Sequence, residues 1–200
     1  MLAEQDRHFP VDRVPCGLNF NLIAGPSLVM NESELQCVLD QIPPAGRLLE
    51  LGTWTGATAC WLLDRRDDIQ VVSVDNCPPD EQWQRMLMIL INKYHRPRWT
   101  IWWGSIAAFF AWCLPQGFSV VLVDASHERE MVFEDLTFAS TAVRPGGVIV
   151  AHDYGDPSEA ADDYQRDIWG GVRQAVDSFC GNSSWRVAEV VGSMAVLKMA

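Results

Sequence analysis

The chain has 200 residues, of which 48% are hydrophobic and 20% charged, a balance typical of one globular domain and not of a disordered chain. Its formal net charge of −11 makes nucleic acid a poor partner, because an acidic surface repels the phosphate backbone. No apolar run reaches the ~18 residues that a membrane helix needs, so we expect no membrane association.

The six cysteines are scattered along the chain, and none of them form a CxxC pair. The sequence therefore contains no recognisable zinc motif. Because no secretory signal opens the chain, we expect reduced thiols and a cytoplasmic protein.

Residues 1–30 contain three prolines and two glycines and are interpreted as an N-terminal arm, either a lid or the arm of a homodimer. Residues 31–200 are predicted to form the functional domain. Its first helix is predicted over residues 31–42, because Asn31 can cap it, Glu34 follows three residues later and Pro43-Pro44 ends it.

Five apolar segments alternate with helical stretches and are predicted to be strands. They cover residues 47–51, 69–74, 99–103, 118–123 and 148–151. The helices between them are predicted over residues 56–63, 80–94, 106–114 and 128–143, and residues 144–147 are predicted to form a turn. Strands made almost entirely of Val, Ile and Leu are buried on both faces, which indicates a parallel sheet.

The C-terminal part is predicted to form a helix over residues 169–179, followed by a hairpin of residues 185–191 and 194–199 around Gly192-Ser193. The predicted fold is therefore α/β: a Rossmann-like, doubly wound, mostly parallel seven-stranded sheet with an antiparallel C-terminal hairpin. In open sheets of this kind, ligands bind outside the carboxyl ends of the strands.

Polar side chains follow nearly every predicted strand, at the edge where a ligand would bind. They are Glu50, Asp75, Ser105, Asp124 and the pair His152-Asp153. A stable fold does not require polar residues at all of these positions. Their arrangement is therefore the main indication of function.

The first motif, ELGTWTGAT at residues 50–58, predicts a ligand-binding loop after the first strand. Gly52 allows a tight turn, and Gly56 allows a ligand to approach the N-terminus of the next helix, which suits a carboxylate. Glu50 can orient the loop or hold an ammonium group. A dinucleotide-binding loop is disfavoured, because Trp54 stands where such a loop has its second glycine.

Asp75 ends the second strand, 23 positions after Gly52, where a carboxylate can accept hydrogen bonds from both hydroxyls of a ribose. The residues that follow it, Asn76-Cys77-Pro78-Pro79, are interpreted as a turn.

Asp124, His152 and Asp153 follow two strands that we expect to be neighbours. Two carboxylates, with an imidazole or with water, can complete an octahedral shell around Mg²⁺. Capping of loops is the alternative role for the two aspartates.

His127 is a candidate general base, since the ordinary pKa of histidine, about 6.5, suits proton transfer near neutrality. The alternative is that His127 is an exposed loop histidine without a catalytic role.

Taken together, the segments LLELGTWTGATACWLL, VVLVDASHEREMVFEDL and VRPGGVIVAHDY resemble the motifs of class I S-adenosylmethionine-dependent methyltransferases. More narrowly, they resemble the metal-dependent O-methyltransferases of the catechol and caffeoyl-CoA type, and the related branch of macrocin O-methyltransferases and cephalosporin-biosynthesis proteins. The resemblance runs from about Glu34 to the C-terminus.

The resemblance implies transfer of a methyl group from S-adenosylmethionine to a hydroxyl of a small molecule, assisted by Mg²⁺. The catalytic residues would be His127 and Asp124, and the metal ligands Asp124, His152 and Asp153. The expected cofactor-binding residues are Glu50, Gly52, Thr53, Trp54, Gly56, Thr58, Asp75, Asn76, Gly104, Ser105 and Asp124.

The chain departs from the catechol-type enzymes at two positions. Their base is a lysine three positions after the aspartate of the fourth strand, where this chain has His127. Their paired ligands after the fifth strand are Asp-Asn, where this chain has His152-Asp153. Two alternatives follow: a metal-independent methyltransferase with His127 as base, and a non-catalytic S-adenosylmethionine-binding partner protein that uses some of its 9 tryptophans at an interface.

Overall fold

The computed structural model describes residues 30–54, 56–76 and 97–200. The predicted helix over residues 80–94, residues 1–29 of the predicted arm and Cys77-Pro78-Pro79 therefore lie outside the described residues. The described helices are α1 (Glu32–Gln41), α2 (Ala57–Arg65), α3 (Ile106–Cys113), α4 (Arg129–Ala142) and α5 (Asp163–Gly181), with a 3-10 turn at Pro157–Glu159. The strands are β1 (Arg47–Leu51), β2 (Gln70–Asp75), β3 (Trp99–Trp103), β4 (Phe118–Val123), β5 (Val143–Ala151), β6 (Trp185–Val191) and β7 (Met194–Met199).

The seven strands form one sheet in the order β3-β2-β1-β4-β5-β7-β6. Strands β1 to β5 pair in parallel, and β7 runs antiparallel between β5 and β6. The chain reverses its direction of winding between β1 and β4, and this switch opens a crevice at their carboxyl ends. The predicted Rossmann-like sheet, with its antiparallel hairpin, is confirmed.

The sheet is covered on both faces because neighbouring residues of a strand point to opposite sides. Leu48 belongs to the core formed with α1 and α2, whereas Leu49 belongs to the core formed with α3, α4 and α5. All six residues of β4 are buried, as its apolar sequence predicts for a central strand. None of the helices in the described part of the chain has the length and apolar character needed to cross a membrane.

The first helix follows the predicted capping pattern. The side chain of Asn31 accepts a hydrogen bond from the backbone N–H of Glu34, and the Glu34 carboxylate accepts one from the N–H of Asn31. This reciprocal capping box satisfies two donors that the helix itself leaves unpaired. The predicted start of α1 is therefore confirmed.

Two predicted boundaries are wrong. Residues 144–147, predicted to be a turn, belong to β5; Val143 pairs with Phe118 and Val148 with Val120, so the residues between them form a bulge. Helix α5 begins at Asp163 instead of residue 169, because Asp162 caps it by accepting the N–H of Gln165. Its first turn is polar and exposed, so hydrophobic periodicity does not reveal it.

Asp135 is a buried carboxyl group on the core-facing side of α4. Burial, together with the nearby Glu134, raises its pKa to about 7. A carboxyl whose pKa is higher in the folded state costs stability when it ionises, so this cost is present above pH 7 and shrinks as the pH falls. We expect Asp135→Asn to raise the free energy of unfolding at pH 8 by about 2 kcal/mol or more, and by less than half as much at pH 5. Urea titrations at both pH values measure this, and equal gains at both would contradict it.

Candidate functional site

The carboxyl ends of β1, β4 and β5 lie side by side because the parallel ladder continues one residue beyond each strand. The N–H of Gly52 donates to the carbonyl of Val74 (2.8 Å), that of Asp124 to Leu51 (2.9 Å) and that of His152 to Val123 (3.1 Å). The sheet therefore places the residues that begin each of the three loops next to one another, at the crevice.

The loop after β1 lies directly against the loop after β4, and Gly52 makes this contact possible. Its φ is +90°, and a Cβ atom at this position would lie 2.2 Å from the carbonyl oxygen of Asp124. Gly56 also has a positive φ, +74°, and is the N-cap of α2, where no side chain accepts a hydrogen bond from the first N–H groups of the helix. Both glycines of the motif are explained by backbone geometry.

Asp75 holds the shape of this loop. Its Oδ2 atom accepts hydrogen bonds from the backbone N–H groups of Thr53 (3.0 Å) and Trp54 (2.7 Å). The carboxylate that sequence analysis assigned to a ribose thus connects β2 to the loop after β1, and its contact with a ribose stays a prediction. Asn76 follows it and is exposed.

Glu50 lies deeper, between the strands. It is 1% exposed, and its Oε2 accepts a hydrogen bond from Ser73 Oγ (2.5 Å), which in turn accepts one from Trp99 Nε1 (2.9 Å). Burial raises the pKa of Glu50 to about 7. This hydrogen-bond network connects Glu50 in β1 to Ser73 in β2 and Trp99 in β3.

The remaining predicted cofactor residues lie around the same crevice. The N–H of Gly104 donates to the carbonyl of Asp75 (2.9 Å), and Ser105 caps α3 by accepting the N–H of Ala108 (3.1 Å). Thr58 lies half-buried in the first turn of α2. Their contacts with a cofactor stay predictions.

A cluster of carboxylates and imidazoles stands at the ends of β4 and β5. His152 Nδ1 lies 3.1 Å from Asp124 Oδ1 and 3.2 Å from Asp153 Oδ2, and His127 Nε2 lies 3.0 Å from the same Asp153 oxygen. The structure therefore brings together all four residues that sequence analysis assigned to the base and the metal. Strands β4 and β5 are neighbours, as predicted.

The cluster is electrostatically coupled. Burial alone would lower the pKa of His152, but the nearby carboxylates, led by Asp124, raise it well above its usual value. The hydrogen bond to Asp153 raises the pKa of His127, and burial only partly opposes this. The two carboxylates therefore favour a positive charge beside them, which is why the pKa of both imidazoles is raised.

The donor set fits a hard divalent cation. Adjacent ligands of an octahedral Mg²⁺ ion lie about 3.0 Å apart when the bonds are about 2.1 Å long. The separations of His152 Nδ1 from the two aspartate oxygens, 3.1 and 3.2 Å, are close to this spacing and are also ordinary hydrogen-bond lengths. Ligand atoms of Asp124, His152 and Asp153 all lie within 4.8 Å of one another, so the three residues can bind one ion.

Sequence analysis missed one member of this cluster. Glu34, interpreted only as a helix cap, is 3% exposed, and its Oε2 lies 3.7 Å from His152 Nε2. Burial alone would raise the pKa of Glu34, but His152 and the N–H groups of Ser193 and Asn31 lower it to about 2. Only its unusual burial distinguishes it from an ordinary cap, and burial of a polar residue is not visible in the sequence.

Helix α5 supports the loops that carry the cluster. A Cβ atom at Gly155 would lie 2.2 Å from the ring of Trp169, and one at Gly171 would lie 2.3 Å from the carbonyl oxygen of His127. The hydroxyl of Tyr154 donates to Asp177 (2.8 Å). The middle of α5 is therefore packed against both loops.

Two adjacent glycines of α5 provide a matched test of this packing. A Cβ at Gly170 meets nothing within 4 Å, so Gly170→Ala should stabilise the helix by about 0.5–1 kcal/mol. Gly171→Ala should instead destabilise the protein by about 1–3 kcal/mol and move the loop of His127. Urea titrations and the NMR signals of the His127 ring measure both effects; similar behaviour of the two variants would contradict the packing described.

The chain matches the family model described as a methyltransferase domain over residues 49–154, slightly more than half of its length. No curated protein sequence matches the chain significantly. Solved structures of similar fold include a protein from Staphylococcus aureus assigned as a caffeoyl-CoA O-methyltransferase (14% identity, 86% of this chain and 85% of that chain, TM-score 0.66).

Two further similar structures contain a cofactor or its product. One is an O-methyltransferase from Bacillus cereus in complex with SAH (17% identity, 88% of this chain and 84% of that chain, TM-score 0.62). The other is TomG from Streptomyces achromogenes, an O-methyltransferase of tomaymycin synthesis, in complex with SAM (18% identity, 88% of this chain and 83% of that chain, TM-score 0.62). At these identities the likeness concerns the fold, and the match of the family model shows that the chain belongs to the methyltransferase domain family.

Proposed function

We propose that the chain is an S-adenosylmethionine-dependent O-methyltransferase that methylates a hydroxyl of a small molecule with the help of Mg²⁺. The observation that carries this proposal is the contact between two sites: Gly52 of the loop after β1 lies against the backbone of Asp124, which begins the carboxylate–imidazole cluster. The similar folds of O-methyltransferases in complex with SAM or SAH support it.

The cofactor would occupy the crevice between the loop after β1 and the ends of β2 and β3. The N-terminus of α2 offers unpaired N–H groups for a carboxylate, and Asp75 offers acceptors for the ribose hydroxyls. S-adenosylmethionine supplies an activated methyl group on its sulfonium. The residues proposed to contact it are Glu50, Gly52, Thr53, Trp54, Gly56, Thr58, Asp75, Asn76, Gly104, Ser105 and Asp124.

Asp124, His152 and Asp153 are proposed to hold the cation, which supplies the Lewis acidity that makes a hydroxyl easier to deprotonate. His127 is proposed as the base. Its Nε2 hydrogen bonds to Asp153 Oδ2, so Nδ1 is the nitrogen left to accept the hydroxyl proton. Asp153 then stabilises the imidazolium that forms.

A second candidate is a metal-independent methyltransferase with the same base. It is favoured by the position of His152, whose Nδ1 lies 3.1 Å from Asp124 Oδ1 and 3.2 Å from Asp153 Oδ2 and whose pKa is raised. A protonated His152 would supply the positive charge that a cation supplies in the first candidate. An assay of methyl transfer in the presence and absence of EDTA distinguishes the metal-dependent from the metal-independent candidate.

The acceptor is proposed to be a small molecule because a net charge of −11 opposes nucleic acid. The loop after β5 and the start of α5 border the cluster and are the described segments best placed to select it. Residues 1–30 stay predicted as a lid or as the arm of a homodimer.

The proposal is tested by calorimetric titration with S-adenosylmethionine, followed by transfer of a labelled methyl group to a panel of catechols, phenols and sugars. The assays are run with Mg²⁺, with Mn²⁺ and with EDTA. We expect binding, and transfer that EDTA abolishes and either metal restores. Full transfer in EDTA favours the metal-independent candidate, binding without transfer to any acceptor favours a non-catalytic partner protein, and absence of binding overturns the function.

A further inference from the structure

Glu34 has more contacts than a helix cap needs. Capping uses Oε2, which accepts the N–H of Asn31 at 2.8 Å. The other oxygen, Oε1, accepts both the N–H (2.9 Å) and the hydroxyl (2.7 Å) of Ser193 in the turn between β6 and β7. The carboxylate is therefore fixed both by the start of its own helix and by a turn that lies 159 residues away from Glu34 in sequence.

The surroundings of Glu34 are built to hold a charged carboxylate inside the protein. It is 3% exposed, and burial of an unpaired carboxylate is costly. A Cβ at Gly192 would lie 2.7 Å from Glu34 Oε1, so the glycine of the turn leaves the space that this oxygen occupies. The backbone of the hairpin is thus shaped around the carboxylate.

The imidazole of His152 lies between this carboxylate and the aspartates. Nε2 faces Glu34 Oε2 at 3.7 Å, and Nδ1 faces Asp124 and Asp153 at 3.1 and 3.2 Å. A histidine that binds a metal through one nitrogen commonly directs the N–H of the other toward a carboxylate, which sets the tautomer and the orientation of the ring.

We propose that Glu34 is a positioning residue of the site, which holds the ring of His152 so that Nε2 faces Glu34 and Nδ1 is directed at Asp124 and Asp153. The part of this inference that concerns a cation rests on the proposed function. Glu34 and Ser193 both lie outside residues 49–154, so α1 and the C-terminal hairpin complete a site that the matched family segment contains only in part.

The test compares Glu34→Gln with Glu32→Gln. Glutamine at position 34 keeps one oxygen, which can still accept the two hydrogen bonds from Ser193, but it loses the second acceptor, which pairs with Asn31, and the charge opposite His152. Glu32 is exposed in the same first turn of α1, so its replacement changes the net charge equally without touching the site. Thermal unfolding confirms that both variants are folded.

Two measurements decide the outcome. In Glu34→Gln, we expect the affinity for Mn²⁺, followed by electron paramagnetic resonance, to fall by about 10- to 100-fold, whereas S-adenosylmethionine affinity is unchanged. Nitrogen-15 spectra of the His152 ring should be the same in the wild type and in Glu32→Gln, and the ring signals should be altered in Glu34→Gln.

Each failure points to a different cause. Absence of S-adenosylmethionine binding by the wild type overturns the proposed function, whereas absence of Mn²⁺ binding overturns only its metal. In either case the spectra of His152 still test Glu34, because the carboxylate faces the His152 ring directly. Identical His152 spectra in the wild type and Glu34→Gln overturn the positioning role.

Discussion

Replacing Asp153 with glycine is expected to lower methyl-transfer turnover by at least about 100-fold, because the change removes both a proposed metal ligand and the partner of the proposed base. Asp153 Oδ2 lies 3.0 Å from His127 Nε2 and 3.2 Å from His152 Nδ1, so one oxygen serves both groups. Affinity for Mn²⁺ should fall as well. Affinity for S-adenosylmethionine should change little, since its proposed contacts lie mainly on the first three strands and their loops.

Glycine is the appropriate replacement because Asp153 has a φ of +61°. Glycine adopts this conformation without strain, whereas alanine would add a backbone cost to the loss of the carboxylate. Asparagine at this position, by contrast, would keep an oxygen able to bind a metal. A comparison of Asp153→Gly with Asp153→Asn therefore separates loss of the ligand from loss of the charge.

Asp156→Gly is the control in the same loop. Its carboxylate caps the 3-10 turn by accepting the N–H of Ser158 (2.9 Å) and is not part of the cluster. Steady-state kinetics, Mn²⁺ titration and calorimetry on both variants check the prediction. If Asp153→Gly lost affinity for both S-adenosylmethionine and Mn²⁺, this would argue against separate sites for the cofactor and the metal.

Asp75→Ala is expected to weaken S-adenosylmethionine binding by at least about 100-fold, because two charge-assisted hydrogen bonds of about 1.5–3 kcal/mol each would be lost. The structure adds a second cause. Asp75 Oδ2 also accepts hydrogen bonds from the N–H groups of Thr53 and Trp54, so the variant loses the contacts that fix the loop after β1. Calorimetric titration of the folded variant measures the effect.

A cofactor analogue lacking the 2′-hydroxyl separates the two causes. If Asp75 binds the ribose, the analogue should bind the wild type more weakly than S-adenosylmethionine does, and the difference should disappear in Asp75→Ala. Asp68→Ala is the matched control, since Asp68 precedes β2 at the opposite end and accepts the N–H of Ala45 (2.8 Å). An equal penalty for the analogue in wild type and Asp75→Ala would exclude the ribose contact.

The amino-acid sequence by itself determined the sheet and the edge at which the site lies. Apolar runs such as residues 118–123 have no polar face, so they can only be central strands covered on both sides. Glycines at positions 52 and 56 indicate a backbone that must turn sharply beside a ligand. The polar residues that end these strands meet because parallel strands end at one edge, so Asp124, His152 and Asp153 could be grouped from the sequence.

Only the tertiary structure decided how those side chains are oriented and supported. The contact of Asp75 with the loop after β1 spans 21 and 22 residues, and the contact of Glu34 with Ser193 spans 159. Periodicity along a chain reports which residues are buried, but it does not report which distant residue lies opposite them. The sequence indicates only a helix cap at Glu34, and this residue becomes part of the site because α1 packs beside β4 and the hairpin closes over its carboxylate.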